Sequence, residues 1–401
     1  MNNILVISNF IPPEHSATGR IAYSIAKELS KTNRVRLICL SSNEDSPKSG
    51  DLTVCKFLTR YGMYKKMVAD TAKARGLAKI FLKIKYKLYY KHAQKVGLES
   101  VGSHLSEFKA FAKEYALNNG IDCVITVSNP FELQEVGQNL KQEIPSLKWF
   151  PYLMDSNRHN ISYKAAITQE QETLRLADKI LIVPALTFDK DFCSDFEGRT
   201  EVVDLPIIPT DTEVKANENT ESIKLIFAGM FYKDVRDPKF LLELMSRLPS
   251  NYQLELYYGG CADTVKKYKE ILGDRLNISG FISPEELEGK MSNANLVVNI
   301  GNTVLNQVSS KAYDLIATGK PILNFYQNEK DISLEHLRRY PLCYHIDYQN
   351  ITDTDIDGLI KWATEVAGKK LDYLQATKNL EEKRLSSVAR RIAEIIELRD
   401  L

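Results

Sequence analysis

Short runs of uninterrupted apolar residues recur along the chain, each followed by a stretch with helical spacing. NILVIS (3–8), VRLICLS (35–41), LTVCKF (52–57), DCVITVS (122–128), WFPYLM (149–154), KILIV (179–183) and VVDLP (202–206) read as strands. Strands that are apolar throughout are buried on both faces, which points to a parallel sheet covered by helices on each side. Gly19–Lys31 carries Ile21, Ile25 and Leu29 at four-residue spacing, and helices are expected near 104–118, from Phe131, and across 163–177. The pattern stops at 209–222, PTDTEVKANENTES, and then restarts. IKLIFAG (223–229), QLELYYG (253–259), LNISGF (276–281), NLVVNIG (295–301) and PILNF (321–325) read as a second set of strands. Helices are expected at 238–247, 263–272, 284–292, 310–318, 355–366 and 370–398, with a loop-rich stretch after 325. The restart predicts two similar α/β domains, 1–208 and 223–380, joined by a linker at 209–222 and followed by a terminal helix at 381–401.

Composition narrows the classes further. A hydrophobic fraction of 44% with 26% charged residues excludes disorder and collagen-like or disulfide-scaffold chains. Cys39, Cys55, Cys123, Cys193, Cys261 and Cys343 lie far apart with no metal-ligand spacing, so reduced thiols in a reducing compartment are expected. The opening MNNILVISNF has no basic stretch and too short an apolar run for a signal peptide. No run approaches the ~18 apolar residues of a membrane span.

Several motifs fail on inspection. The loop after the first strand, NFIPPEHSATG, has one glycine where a dinucleotide fold needs three. ATGKPI (317–322) has Pro321 in the Ser/Thr slot of a P-loop. DTDIDG (353–358) opens like a calcium loop, but its twelfth position is Thr364, and an acid-rich helix start explains it better.

Three loops at strand-to-helix junctions remain. In the first, Ser16, Thr18 and Gly19 lie where a helix begins, which suits either a plain cap or an anion at the helix N-terminus. In AGMFYKDVRDP (228–238), Gly229 permits close backbone approach, and Lys233 and Arg236 suit a diphosphate or are surface charge. In NQVSSKAYDLIATGKPILNF (306–325), Ser309 or Ser310 can cap a helix whose first turn carries Lys311, opposed to the helix dipole, with Asp314 three residues on. That pair is an ordinary salt bridge, or a phosphate-binding Lys beside a ribose-binding Asp.

The order of these loops resembles that of the retaining glycosyltransferases of family four. ILVISNFIPPEHSATGR is similar to that family's opening strand and donor-facing loop, and FAGMFYKDVRDP to its glycine-plus-basic phosphate loop. ISGFISPEELEGKMSNANLVVNIG and SSKAYDLIATGKPIL resemble later family segments, the last in the form of polysaccharide-assembly members. The resemblance implies a GT-B fold: α/β, two Rossmann-like domains with parallel sheets facing a cleft, and a C-terminal helix crossing back to the first domain. It implies sugar transfer, with retention, from a nucleotide-sugar donor, a UDP-sugar favoured, to a lipid-linked or cell-surface polysaccharide acceptor. No cofactor or metal is implied. Donor contacts would come from Gly19, Gly229, Lys233, Gly280, Phe281, Asn306, Ser309, Ser310 and Asp314. Arg236 and Lys311 would stabilise the leaving diphosphate, and Asp155 and His159 would meet the sugar or acceptor. The family often carries a Glu, seven residues, then another Glu, where this chain has Asn306 and Asp314. Two other readings stay open, a hydrolysing nucleotide-sugar epimerase and a non-catalytic GT-B subunit that binds a partner.

The charge is unevenly spread. From Lys65 to Lys95 there are ten Lys or Arg and one acid, Asp70, so this segment carries +9 in a chain whose total is +1. Within LAKIFLKIKYKLYYK (77–91), Leu77, Ile80, Phe81, Ile84 and Leu88 share one helical face, with Lys79, Lys83, Lys87 and Lys91 opposite or on its border. A basic amphipathic helix of this kind suits an anionic membrane surface. A solvated face with the stripe packed on the domain is the alternative. No nucleic-acid fold signature accompanies the charge. Together these expectations describe a cytoplasmic protein, peripheral at the inner face of a membrane.

Overall fold

The computed structural model describes residues 2–397, apart from 15, 44–51, 160–162, 211–213, 220, 234, 302 and 304–309. The chain forms two compact units, Met1–Leu205 with Leu385–Leu401, and Pro206–Arg384.

Unit 1 runs β1 (Asn3–Ser8), α1 (Ala17–Leu29), β2 (Arg34–Ser41), β3 (Thr53–Leu58), α2 (Arg60–Lys73), α3 (Gly76–Val96), α4 (Leu105–Asn118) and β4 (Cys123–Val127). It continues through α5 (Glu132–Glu143), β5 (Lys148–Leu153), α6 (Tyr163–Leu174), β6 (Ile180–Ile182), α7 (Lys190–Asp195) and β7 (Thr200–Val202). Its strands form one sheet in the order β3-β2-β1-β4-β5-β6-β7, with parallel pairing throughout. Ile4, Leu5, Val6 and Ile7 of β1 have no exposure, and β4 is buried at every position, as a central strand covered on both faces must be.

Unit 2 runs β8 (Ile223–Met230), α8 (Lys239–Arg247), β9 (Tyr252–Gly259), α9 (Ala262–Leu272), β10 (Leu276–Ser279), α10 (Pro284–Ser292) and β11 (Leu296–Ile300). Then come α11 (Ser310–Ala317), β12 (Ile322–Tyr326), α12 (Ile332–Arg339), β13 (Cys343–Asp347), α13 (Asp353–Val366) and α14 (Tyr373–Ala376). The sheet order is β10-β9-β8-β11-β12-β13, again parallel. Leu225, Phe227, Leu254, Leu256, Val298 and Phe325 from the sheet pack with Leu241, Leu244 and Met245 of α8 and Leu359 of α13.

Four differences from the sequence expectation have physical causes. The stretch after 325 holds α12 and β13. β13 is an edge strand in which only Ile346 is fully buried, so no apolar run marks it. β7 covers Thr200–Val202 and takes in only the first residue of the VVDLP run, whose Val203 and Leu205 are buried beyond the strand. The helix expected over 370–398 is broken: α14 is followed by a turn at Glu381–Lys383 and then α15 (Leu385–Glu397). Arg384 Nε donates to Thr377 Oγ1 at 2.9 Å, and Ile207 N donates to Lys383 O at 2.7 Å, which holds the bend. The polar run at 209–222 is pinned in part to unit 2. Asn217 Nδ2 donates to Asn293 O, and Asn295 Nδ2 donates to the carbonyls of Asn217 and Asn219.

α15 belongs to unit 1, where it packs against α1 and buries Val388, Ala389, Ile392, Ile395 and Ile396. Ile392 has no exposure, so Ile392→Ala is expected to cost about 2–5 kcal/mol, read as a lowered midpoint of chemical unfolding. An unshifted midpoint would mean that α15 adds nothing to unit 1.

Candidate functional site

In a parallel doubly wound sheet, ligands bind at the carboxyl ends of the strands where the strand order reverses. In unit 2 that point lies between β8 and β11. Gly229, next to last in β8, has φ +148°, and a Cβ there would stand 2.6 Å from Lys311 Nζ. The positive φ favours glycine, and the missing side chain leaves room for the tip of Lys311 to come this close. The Lys311 stem is partly exposed, but its Nζ is buried, has no hydrogen-bond partner among the described residues, and lies 3.8 Å from the centroid of the Phe227 ring. Phe227 is itself stacked on Phe231 at 4.4 Å.

An aromatic face attracts a cation but does not replace its hydration. Burial, with Arg236 alongside, accordingly lowers the Lys311 pKa to about 7, against a weaker opposing pull from Asp314 one turn further on. Arg236 is fixed by a backbone bridge with Tyr232 (Arg236 N to Tyr232 O, 2.7 Å), and burial lowers its pKa too, opposed by Tyr232 and Asp331. The 231–236 turn is tied to the neighbouring strand ends by Gln327, whose Nε2 donates to Val235 O at 2.7 Å and to Gly301 O at 2.6 Å. Asp331 caps α12 through Ser333 N, and its Oδ2 would stand 3.2 Å from a Cβ at Gly301. Gln327 carries no sequence signal, because its relevance comes from a contact with a turn some 90 residues away.

The remaining residues expected at this site are distributed unevenly. Lys233 is exposed on the same turn, and Ser310 opens α11. Phe281, 68% exposed, lies beyond β10 and touches the position a Cβ at Gly259 would take, next to Met230. Gly280 is open on all sides, so nothing local requires glycine there. Asn306 and Ser309 lie outside the described residues.

Unit 1 has a second polar group at its own reversal, between β1 and β4. Ser16 caps α1 by accepting from Gly19 N, and donates to Asn9 Oδ1 at 2.9 Å. Asn9 Nδ2 and Thr18 Oγ1 both donate to Asn129 O, and Asn129 Nδ2 donates to Asp155 Oδ2 at 2.9 Å. Asp155 thus joins the ends of β1, β4 and β5. Gly19 has a local explanation, because any Cβ would overlap Phe10 O at 1.7 Å. The His159 side chain lies outside what is described. The segment before it is anchored by Glu170, which accepts from Ser156 Oγ, Asn157 N and Arg158 Nε, while Arg158 also pairs with Asp195. On the basic segment, Lys83, Lys87 and Lys91 are exposed and Lys79 is half-buried. Among the described residues no group of His, Cys, Asp and Glu could hold a metal ion, and no helix is long and apolar enough to cross a membrane.

No protein-family model and no curated protein sequence matches the chain. Solved structures do match. The chain is similar to Anabaena HepE, solved with UDP and glucose, with a TM-score of 0.62 at 13% identity over 100% of both chains. It is similar to the lipopolysaccharide outer core galactosyltransferase WaaB, with a TM-score of 0.54 at 13% identity over 98% of both chains. A UDP-GlcNAc 2-epimerase from Methanocaldococcus jannaschii gives 0.55 at 11% identity over 98% of this chain and 99% of that one. The fold is GT-B. Transferases and an epimerase share it, so chemistry has to be argued from the site.

Two tests follow from this geometry. Lys311 binds its proton less tightly folded than unfolded, so its contribution to stability rises with pH between about 7 and the ordinary value of 10.5. The stability deficit of wild type relative to Lys311→Met should therefore shrink over that window, and a deficit that grows would contradict the burial of this amine. Glu170→Ala leaves Arg158 buried without its inner carboxylate, and a loss of about 3–5 kcal/mol is expected in denaturant unfolding. A loss below about 1 kcal/mol would show that Asp195 alone holds the segment.

Proposed function

We propose that the chain is a glycosyltransferase that moves a sugar from a nucleotide-sugar donor, a UDP-sugar favoured, to a lipid-linked or cell-surface polysaccharide acceptor with retention at the anomeric carbon. In this reading it works peripherally at the cytoplasmic face of a membrane. The observation that carries the proposal is the buried Lys311 ammonium, beside Arg236 at the strand ends and with no hydrogen-bond partner among the described residues. A diphosphate supplies the charge and the acceptor oxygens which that nitrogen lacks. The resemblance of residues 227–238 and 309–323 to family-four glycosyltransferases supports the assignment, as does the complex of HepE with UDP and glucose.

The roles follow from position. Arg236 and Lys311 meet the charge that develops on the diphosphate as the bond from the anomeric carbon to the phosphate oxygen breaks. The acceptor oxygen bonds that carbon from the same face, and its proton passes to the departing phosphate. Cationic side chains take the part that a metal plays elsewhere. Asp314 is assigned to the ribose and the exposed Phe281 ring to the base, by stacking. In unit 1, Asp155 and its Asn129 partner are assigned to an acceptor hydroxyl.

The donor test uses UDP and UDP-sugars in calorimetry and in turnover assays. Lys311→Ala is expected to lower kcat by roughly 10²–10³-fold and to weaken UDP binding. Wild-type UDP affinity should fall as pH rises above about 7, because binding then requires a proton to be taken up at Lys311. UDP binding that ignores both the mutation and pH would sink the assignment. The epimerase neighbour motivates one further measurement, the sugar product. Free epimerised sugar released without an acceptor would favour that chemistry, and tight UDP binding without turnover would favour a non-catalytic subunit.

A further inference from the structure

The apolar stripe on the basic segment does not pack on its own unit. Leu77 is 85% exposed, Phe81 69%, Leu88 64%, Ile80 57% and Ile84 55%. α3 is instead held from its other side. Ala93 is its one buried residue, and Lys79, Leu82, Tyr86, Tyr89 and Tyr90 are half-buried on the same face. At about 100° per residue that face is centred opposite the stripe. Tyr64 of α2 meets Tyr90 at 4.4 Å and Tyr86 at 5.8 Å between ring centroids, so an aromatic cluster joins the two helices. The base of the hairpin is anchored by the Thr59 cap on α2 and by Arg60 N donating to His104 Nε2.

The cations sort by the same geometry. Lys83 and Lys87 stand along one border of the stripe and Lys85 along the other, while Lys91 and Lys95 continue its line toward the helix end. All five are exposed. Lys79, expected among the outward cations, is half-buried on the tyrosine side, so it is removed from that set. An exposed apolar stripe flanked by cations fits an interface that is apolar inside and anionic at its edge. Acidic protein surfaces offer the charge without the apolar layer, and an ordinary hydrophobic partner offers the reverse.

We propose that α3 docks in the plane of an anionic lipid bilayer, with Leu77, Ile80, Phe81, Ile84 and Leu88 entering the headgroup–acyl boundary and the flanking lysines meeting lipid phosphates. From Leu77 to Leu88 the stripe runs roughly 16 Å, enough for a helix lying in the interface and short of a span. α2 begins directly after the carboxyl end of β3, so the hairpin leaves the sheet at the edge that also carries Asn9, Asn129 and Asp155. β3 is two strands, about 10 Å, from β1. The inference holds whatever reaction unit 2 carries out.

The test is co-sedimentation of the full chain with vesicles of phosphatidylcholine alone and of a roughly 3:1 mixture with phosphatidylglycerol. Wild type should partition at least about tenfold more into the anionic vesicles, and added salt should weaken the effect. Ile80→Glu/Ile84→Glu and Lys83→Glu/Lys87→Glu should each abolish that partition. Leu117→Glu and Phe188→Glu, at exposed apolar residues elsewhere on unit 1, should leave it intact. Melting curves confirm that each variant is folded, and Phe81→Ser/Leu88→Ser replaces a stripe variant that is not. Wild type that stays in the supernatant, or stripe variants that still bind, overturn the proposal. So does a dimer in sedimentation velocity that Ile80→Glu/Ile84→Glu splits while wild type ignores vesicles, since the stripe would then face a second copy.

Discussion

A parallel strand buried on both faces admits a polar side chain only where a neighbour satisfies it, as Asn324 of β12 does for Asn299 of β11, and most of this molecule follows from that constraint. β1 is buried along almost its whole length, and β4 and β11 along all of theirs. Polar groups that the fold leaves open to a ligand therefore gather where these strands stop, and parallel pairing puts all the stops of one sheet on one edge. Asn9, Asn129 and Asp155 stand within two residues of the ends of β1, β4 and β5. Gly229, Gly301 and Gln327 stand equally close to the ends of β8, β11 and β12. Two separate polar clusters therefore arise from one rule applied twice.

The same rule explains what could be read from sequence and what could not. Central strands such as 3–8, 122–128 and 295–301 advertise themselves as apolar runs. β13 does not, because an edge strand with one fully buried residue needs no such run. Gly229, Arg236 and Lys311 were legible as loop residues of the right chemical type at strand ends. Gln327 was not, since a glutamine in a loop acquires meaning only from the two carbonyls it bonds, one of them in the distant 231–236 turn. Gly19 shows a different limit. Its position is legible, but the atom that forbids a side chain is Phe10 O of the same loop, so steric need inside unit 1 already accounts for the glycine. The expected continuous helix over 370–398 failed because helical spacing is blind to the Thr377–Arg384 contact that bends the chain.

Net charge hides a comparable distinction. A total of +1 sums a segment of +9 and an acidic remainder, but charge alone does not say what the segment does. The side on which the helix is held does. Had the leucine and isoleucine stripe packed inward, the lysines would be an ordinary solvated face. The tyrosines take the inward role instead and leave the stripe in water, where apolar side chains gain nothing from the fold.

Three buried cations show why Lys311 stands apart. Arg158 is paired with two carboxylates, Glu170 and Asp195; burial pulls its pKa down, but those bonds more than offset it and the net shift is upward. Lys320 has no carboxylate partner among the described residues, but its ammonium donates to Ser292 O at 3.1 Å and Ala294 O at 2.6 Å, closing the end of α10. Burial lowers its pKa to about 8, and its hydrogen bonds are nonetheless made. Both have counter-charges or carbonyls within the fold, although Arg158 Nη1 has no hydrogen-bond partner among the described residues. Lys311 has a partly exposed stem but a buried ammonium that faces a second cation, with only a ring and a carboxylate one turn away to offset desolvation. A folded chain leaves a donor in that condition at a cost, which under the proposed function an anion at the strand ends would recover. A structural cation comes with its counter-charge or its carbonyls built in. A binding cation, as Lys311 is under the proposed function, has to wait for them.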